Sequence, residues 1–227
     1  MRFQTVLFDL DGTLLDHLPA IHRCYAHTLP QLGLPAPSRA QVRRVIGGGL
    51  EKAMRRFVSE ADLPRALALY QSYWDQTMLD GVELMPGAKD LLRMLRAGGV
   101  TLAVLTNKHG PSSRRLCGHL GIDQLLQGVF GADDTPWLKP DPQLTAHALA
   151  TLRADAATAC LVGDSPFDAE TARRGGIQGF FVTTGTHSTE ELRAAGAEHV
   201  YPNLSTLARD AFGLTFDRSG PTEATHL

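Results

Sequence analysis

Basic blocks, membrane-length apolar runs and clustered cysteines are all missing from this 227-residue sequence. Lys and Arg total 22 against 24 Asp and Glu, and the two signs are interspersed, so the chain offers no basic footprint for nucleic acid. The pairs Arg43-Arg44 and Arg55-Arg56 fall in helical-looking sequence and read as solvated helix faces. No run approaches the roughly 20 apolar residues that a membrane helix needs. The apolar start is broken by Asp9, which is not the pattern of a signal peptide. Cys24, Cys117 and Cys160 lie far apart, with no CxxC and no metal-ligand spacing, and are expected to be reduced, buried thiols. These absences predict a cytoplasmic protein with no nucleic-acid partner and no membrane partner. Oligomeric state leaves no mark in the sequence.

What is present is a core-forming chain, 43% apolar. Residues 2–8, 100–105, 159–163 and 179–183 are short apolar runs suited to strands covered on both faces, and 128–131 and 198–201 are shorter candidates. Helical patterns open at Pro86, Pro111, Pro142 and Pro166, and Ser188 with Glu191 forms a capping box for a fifth. The alternation predicts an α/β fold, a doubly wound parallel sheet with helices on both faces. Residues 17–82 interrupt it with helix-like stretches and no convincing strand. They are expected to be an inserted helical cap domain, with residues 1–16 and 83–213 as the core and 214–227 as a flexible tail.

Ligands of an open parallel sheet collect at the carboxyl ends of its strands. The first strand ends in Asp9-Leu10-Asp11-Gly12-Thr13, the second in Thr106-Asn107-Lys108 and the third in Gly163-Asp164-Ser165, with Asp168 following. A loop held by Pro140 and Pro142 brings Lys139. Asp9 and Asp11, two apart, project the same way from extended backbone. Gly12 permits a sharp turn that presents backbone N–H groups to an anion. Crowded carboxylates call for a hard cation such as Mg²⁺. One Asp can attack phosphorus, and a neighbour pushed towards its protonated form can protonate the leaving oxygen. Thr106 and Lys139 offer a donor and a charge to the phosphoryl oxygens. An EF-hand loop is excluded: counted from Asp9, its glycine position holds Leu14 and its terminal glutamate position Ala20.

The stretches DLDGTLLD, LTN, LKPDP and GDSPFD, in this order, resemble the four motifs of the haloacid-dehalogenase-like hydrolase superfamily, and the match spans residues 3–16 and 84–205. The helical insert is similar to the small helical cap of its first subclass. The finer resemblance is to the bacterial phosphoglycolate phosphatases. It implies Asp9 as nucleophile and metal ligand, Asp11 as general acid/base with its carbonyl on the metal, and Asp164 as a further metal ligand. It implies that Thr106, Lys139 and the Asn107 backbone hold the phosphoryl group, with Asp168 in support. It implies Mg²⁺ as cofactor and a small phosphorylated metabolite, 2-phosphoglycolate first, as substrate. A nucleotide, a sugar phosphate, pyrophosphate, a phosphonatase using Lys52, a phosphomutase and a non-catalytic phospho-ligand binder are the alternatives. Asp11 argues against dehalogenation, which has no alkoxide to protonate. Gly48, within Gly47-Gly48-Gly49, is either a helix break or a cap loop over the substrate. Arg23, Arg43 and Arg44 could reach a substrate carboxylate from the cap but read first as solvated faces, Trp74 and Trp137 read as packing ahead of substrate platforms, and His17 stands at the hinge where relatives often carry a small polar residue.

Overall fold

The computed structural model describes residues 2–215. The strands are β1 (Thr5–Phe8), β2 (Leu15–Asp16), β3 (Glu83–Leu84), β4 (Thr101–His109), β5 (Gly128–Ala132), β6 (Ala159–Gly163), β7 (Gln178–Val182) and β8 (Val200–Tyr201). The helices are α1 (Leu18–Thr28), α2 (Arg39–Arg43), α3 (Leu50–Met54), α4 (Leu63–Thr77), α5 (Ala88–Ala97), α6 (Gly110–His119), α7 (Pro142–Leu152), α8 (Pro166–Arg174), α9 (Thr189–Ala194) and α10 (Leu204–Phe212).

Six strands form one parallel sheet in the order β5-β4-β1-β6-β7-β8. The chain fills the sheet from β1 outward to β5, then returns to the other side of β1 with β6, so β1 lies at the switch point where a crevice opens. Strand alternation divides the apolar side chains between two faces. Val6, Phe8, Leu102, Val104 and Val162 pack with Leu91, Leu92 and Leu95 of α5 and Leu204 and Leu207 of α10. Leu7, Ala103, Leu105 and Leu161 pack with Leu144 and Ala148 of α7, Ala169 of α8 and Leu192 of α9. Burial on both faces explains why these strands read as continuous apolar runs.

Local signals place the helices. Ser165 with Asp168 and Ser188 with Glu191 make complete capping boxes for α8 and α9, and Asp141 caps α7 ahead of Pro142. Three differences from the sequence reading have physical causes. β4 runs to His109, beyond residue 105, because it keeps pairing with β5 across a register shift before α6 opens. α10 was not anticipated: Asn203 caps it and its amphipathic face buries Leu204, Leu207 and Ala208. α2 and α3 are single short turns of helix, since the glycines at 47–49 interrupt the segment between them.

Between Asp16 and Glu83 the chain forms α1–α4, which share an aromatic cluster where Tyr25 meets Phe57 at 5.1 Å and Tyr70 at 5.2 Å. The two connections to this helical block pair as an antiparallel ribbon, Leu15 opposite Leu84 and Asp16 opposite Glu83. Cys24, Cys117 and Cys160 are buried and unpaired, and burial pushes the first two thiols up to about 11 and about 12. Among the described residues no helix is long and apolar enough to cross a membrane.

Leu92→Ala removes a fully buried side chain between α5 and the sheet and is expected to destabilise the protein by about 2–5 kcal/mol. Its exposed neighbour Arg93→Ala is expected to change stability by no more than about 0.5 kcal/mol. Urea titration of the two variants checks the contrast.

Candidate active site

The carboxyl ends of β1, β4 and β6 converge, as the parallel order requires. Asp9 follows β1, Thr106, Asn107 and Lys108 lie in the last turns of β4, and Asp164 and Ser165 follow β6. Asp9, Lys139, Asp164 and Asp168 are 6%, 4%, 2% and 0% exposed. Lys139 Nζ donates to Asp9 Oδ1 at 2.7 Å and to Asp168 Oδ1 at 2.6 Å. Burial alone would push this ammonium down, but the charges of Asp168 and Asp9 outweigh it and hold Lys139 above its ordinary range. Burial, partly offset by Lys139, pushes Asp9 up to about 6.

Asp168 is saturated. Its second oxygen accepts the Ser165 hydroxyl at 2.5 Å, the Ser165 amide at 3.0 Å and the Asp164 amide at 3.2 Å. The residue therefore ties α8 to Lys139 instead of offering a free oxygen. Gly163 makes this approach possible, because a Cβ there would overlap the Asp168 side chain.

Oxygens of Asp9, Asp164 and Asp168 lie within 4.8 Å of one another. With Asp168 committed, Asp9 and Asp164 are the two carboxylates of this cluster able to hold a metal. Asp164 accepts from the Thr13 hydroxyl at 3.1 Å and the Thr186 amide at 3.2 Å, yet burial, together with the charges of Asp9 and Asp168, raises it well above the carboxylate range. Hard oxygen donors with excess buried negative charge fit a divalent cation.

Asp11 differs from the expectation of a carboxyl pushed towards its protonated form. Burial does act upward on it, but Lys108 Nζ at 2.9 Å and His17 Nδ1 at 3.2 Å hold it well below the usual carboxylate range. His17 Nε2 faces the Met78 carbonyl at 2.8 Å, an atom that can only accept, so Nε2 carries a hydrogen. Lys108 also sits over the Trp74 ring at 4.4 Å. The sequence reading gave Lys108 no role. Its spacing of two from Thr106 along a strand was the available signal. Thr13 lay inside the first motif, and Thr186 carried no signal.

Gly12 also departs from expectation. Its amide donates to the Leu15 carbonyl at 2.8 Å, so it is not offered to an anion. The glycine is needed for another reason: φ is +86° and a Cβ would stand 2.6 Å from Asp164 Oδ2. Asn107 works through its side chain, which clamps Lys139 by accepting its amide at 2.7 Å and donating to its carbonyl at 3.1 Å. The same amide group donates to Gly47 at 3.0 Å, joining the helical block to the site. Gly47 and Gly49 line the cavity above Asp9, whereas Gly48 packs against Phe167 and Lys52. Thr106 Oγ1 accepts the Lys108 amide at 3.3 Å, leaving the hydroxyl hydrogen for the cavity that Thr106 lines. Trp74, read as packing, lines that cavity too and donates to Ser112 at 3.2 Å. Trp137 lies away from it, against α7.

Lys139→Met removes the only cation shared by Asp9 and Asp168 in this network. Breaking a buried pair from one side is expected to destabilise by about 3–5 kcal/mol, read as a lowered denaturation midpoint in metal-free buffer. Gly163→Ala is expected to displace Asp168 and lower kcat/KM for phosphoester hydrolysis at least about ten-fold, measured with the folded variant after circular dichroism has verified its secondary structure.

Comparison with known proteins bears on the family and the fold. Residues 6–182 match the family model described as haloacid dehalogenase-like hydrolase. A Dickeya dadantii protein described as probable phosphatase IndB is 33% identical, over 95% of this chain and 96% of its own. The phosphoglycolate phosphatase of Rhodospirillum rubrum is 33% identical over 97% of each chain. The solved structure of a haloacid dehalogenase-like family hydrolase from Streptococcus pneumoniae superposes with a TM-score of 0.83 at 27% identity, covering 91% of this chain and 98% of that one. The chain belongs to the haloacid dehalogenase-like hydrolases.

Proposed function

We propose that this chain is a Mg²⁺-dependent phosphomonoesterase that works through a phosphoryl group carried on Asp9. The observation that carries the reading is the buried Asp9–Lys139–Asp168 network beside Asp164, at the sheet edge where ligands of this architecture bind. Asp9 and Asp164 would hold the metal. When bound, it supplies positive charge against the phosphoryl oxygens, and hard oxygen donors favour Mg²⁺.

In the first half-reaction an Asp9 oxygen bonds to phosphorus, the bond from phosphorus to the ester oxygen breaks, and that oxygen leaves as the alcohol with a proton from Asp11. In the second half a water attacks the same phosphorus, Asp11 takes its proton, and Asp9 is released with inorganic phosphate. Lys139 orients Asp9 through Oδ1, and Lys139 and the Thr106 hydroxyl face the charge that develops on the phosphoryl oxygens. As an ionised carboxylate, Asp11 is ready for the second half. For the first half Asp11 must take up a proton, and the oxygen 3.2 Å from His17 Nδ1 is where the two side chains can share one.

The phosphonatase alternative loses its lysine: Lys52 lies 4.7 Å over the Phe167 ring and does not line the cavity. The names of several relatives put 2-phosphoglycolate first among esters to assay, and the chemistry proposed does not depend on that choice.

The test is phosphate release with Mg²⁺ from 2-phosphoglycolate, sugar phosphates, nucleoside monophosphates and pyrophosphate. Wild type is expected to turn over at least one of them, Asp9→Asn none, and chelation is expected to abolish release until Mg²⁺ is restored. Equal inertness of wild type and Asp9→Asn on the whole panel would contradict the reading. Asp164→Asn is expected to weaken Mg²⁺ binding about 10–100-fold, measured as a rise in the metal concentration giving half-maximal rate.

A further inference from the structure

The cavity above Asp9 and Asp11 has about 100 Å³ of free space and opens to solvent at its mouth. Its floor is polar, built by the residues that face the phosphoryl group. Its far wall comes from the helical block and is mostly apolar, with Ile21, Ile46, Leu50, Ala53 and Trp74; the polar exceptions are the hydroxyls of Tyr25 and Tyr70 and the amide of Gln71, which already donates to Asp75 at 2.8 Å. The leaving alcohol of any ester whose phosphorus sits on Asp9 must lie against this wall.

Charge decides what the wall accepts. Among the described residues no arginine lines this cavity, and Lys108 is its only lysine. Lys108 is already held by Asp11 at 2.9 Å and by the face of Trp74. His109 also lines the cavity, but its Nδ1 faces Ser112 at 2.8 Å and its Nε2 faces Asp133 at 3.2 Å. Arg43 donates to the Gly185 carbonyl at 2.6 Å and lines an adjoining cavity on the other side of Asp11 and Ile46, and Arg23 donates to the Asp80 carbonyl. A carboxylate on the leaving group would lose part of its hydration against a mostly apolar wall, with the cavity's polar side chains Gln71 and Lys108 already partnered, which is disfavoured. A flat apolar body would instead gain contact with Trp74, Tyr25 and the aliphatic wall, and such remote contacts raise kcat/KM.

We infer that the preferred substrate is the phosphate ester of an uncharged alcohol bearing an apolar, ring-sized body, and that glycolate, a small anion, is a poor leaving group here. This rests on the phosphomonoesterase reading and refines its substrate class.

The experiment compares kcat/KM for benzyl phosphate, ethyl phosphate and 2-phosphoglycolate with Mg²⁺. In parallel, the affinity of each ester for Asp9→Asn is measured by calorimetry, which needs no turnover. Benzyl phosphate is expected to lead 2-phosphoglycolate at least ten-fold in both readouts, with ethyl phosphate between them. Leu50→Lys, which adds a cation to the wall, is expected to narrow the ratio at least three-fold in favour of 2-phosphoglycolate. A lead for 2-phosphoglycolate in either readout, or its selective loss in Arg43→Gln, would overturn the inference while leaving the hydrolase reading intact. Absence of turnover with a ten-fold binding preference for benzyl phosphate would do the reverse, supporting the cavity argument and sinking the catalytic one.

Discussion

One buried ammonium organises this site. Lys139 is almost fully enclosed and stays charged because two carboxylates, Asp9 from the central strand and Asp168 from α8, stand against it. A charge in that position is tolerated only with close partners in good geometry. Much of the surrounding structure serves that requirement. Asn107 clamps the Lys139 backbone on both sides, Ser165 and two amides fix Asp168, and Gly163 supplies the space for its approach. The interaction joins β1, β4, the loop before α7 and α8, so the geometry of Asp9 depends on the whole central sheet.

The sheet was legible because burial on both faces produces continuous apolar runs, and the strand ends were legible because they carry acids where turns follow. The proline and glycine signals marked most helix ends for the same local reasons. Asp9, Lys139, Asp164 and Asp168 could be named from motif order. What those motifs did not contain was the pairing among side chains. The ionised state of Asp11 depends on Lys108 and His17, and the second of these is a residue whose role no local pattern gives. Gly12 reads as an anion-binding turn because glycine permits a sharp bend, whereas that bend consumes its own amide internally. α10 escaped because its stripe is short and lies close to a weakly patterned tail.

In the proposed function the helical block contributes selectivity more than chemistry. It reaches the core through Gly47 on Asn107, Arg43 on the Gly185 carbonyl, and Trp74 on Ser112 and Lys108. These contacts close an apolar roof over a polar floor. On the proposed reading, chemistry and choice of substrate fall to different segments: phosphoryl transfer to the strand ends, and the leaving group to side chains from residues 17–82.

The account stands on Asp9 as the residue that takes the phosphoryl group. The most direct test is acid quenching of the enzyme during turnover of its best ester, followed by peptide mass spectrometry. The account predicts one added phosphoryl group on the peptide containing Asp9, absent when the ester is withheld. A phosphoryl group found on any other residue, or turnover with Asp9 unmodified at every quench time, would contradict it.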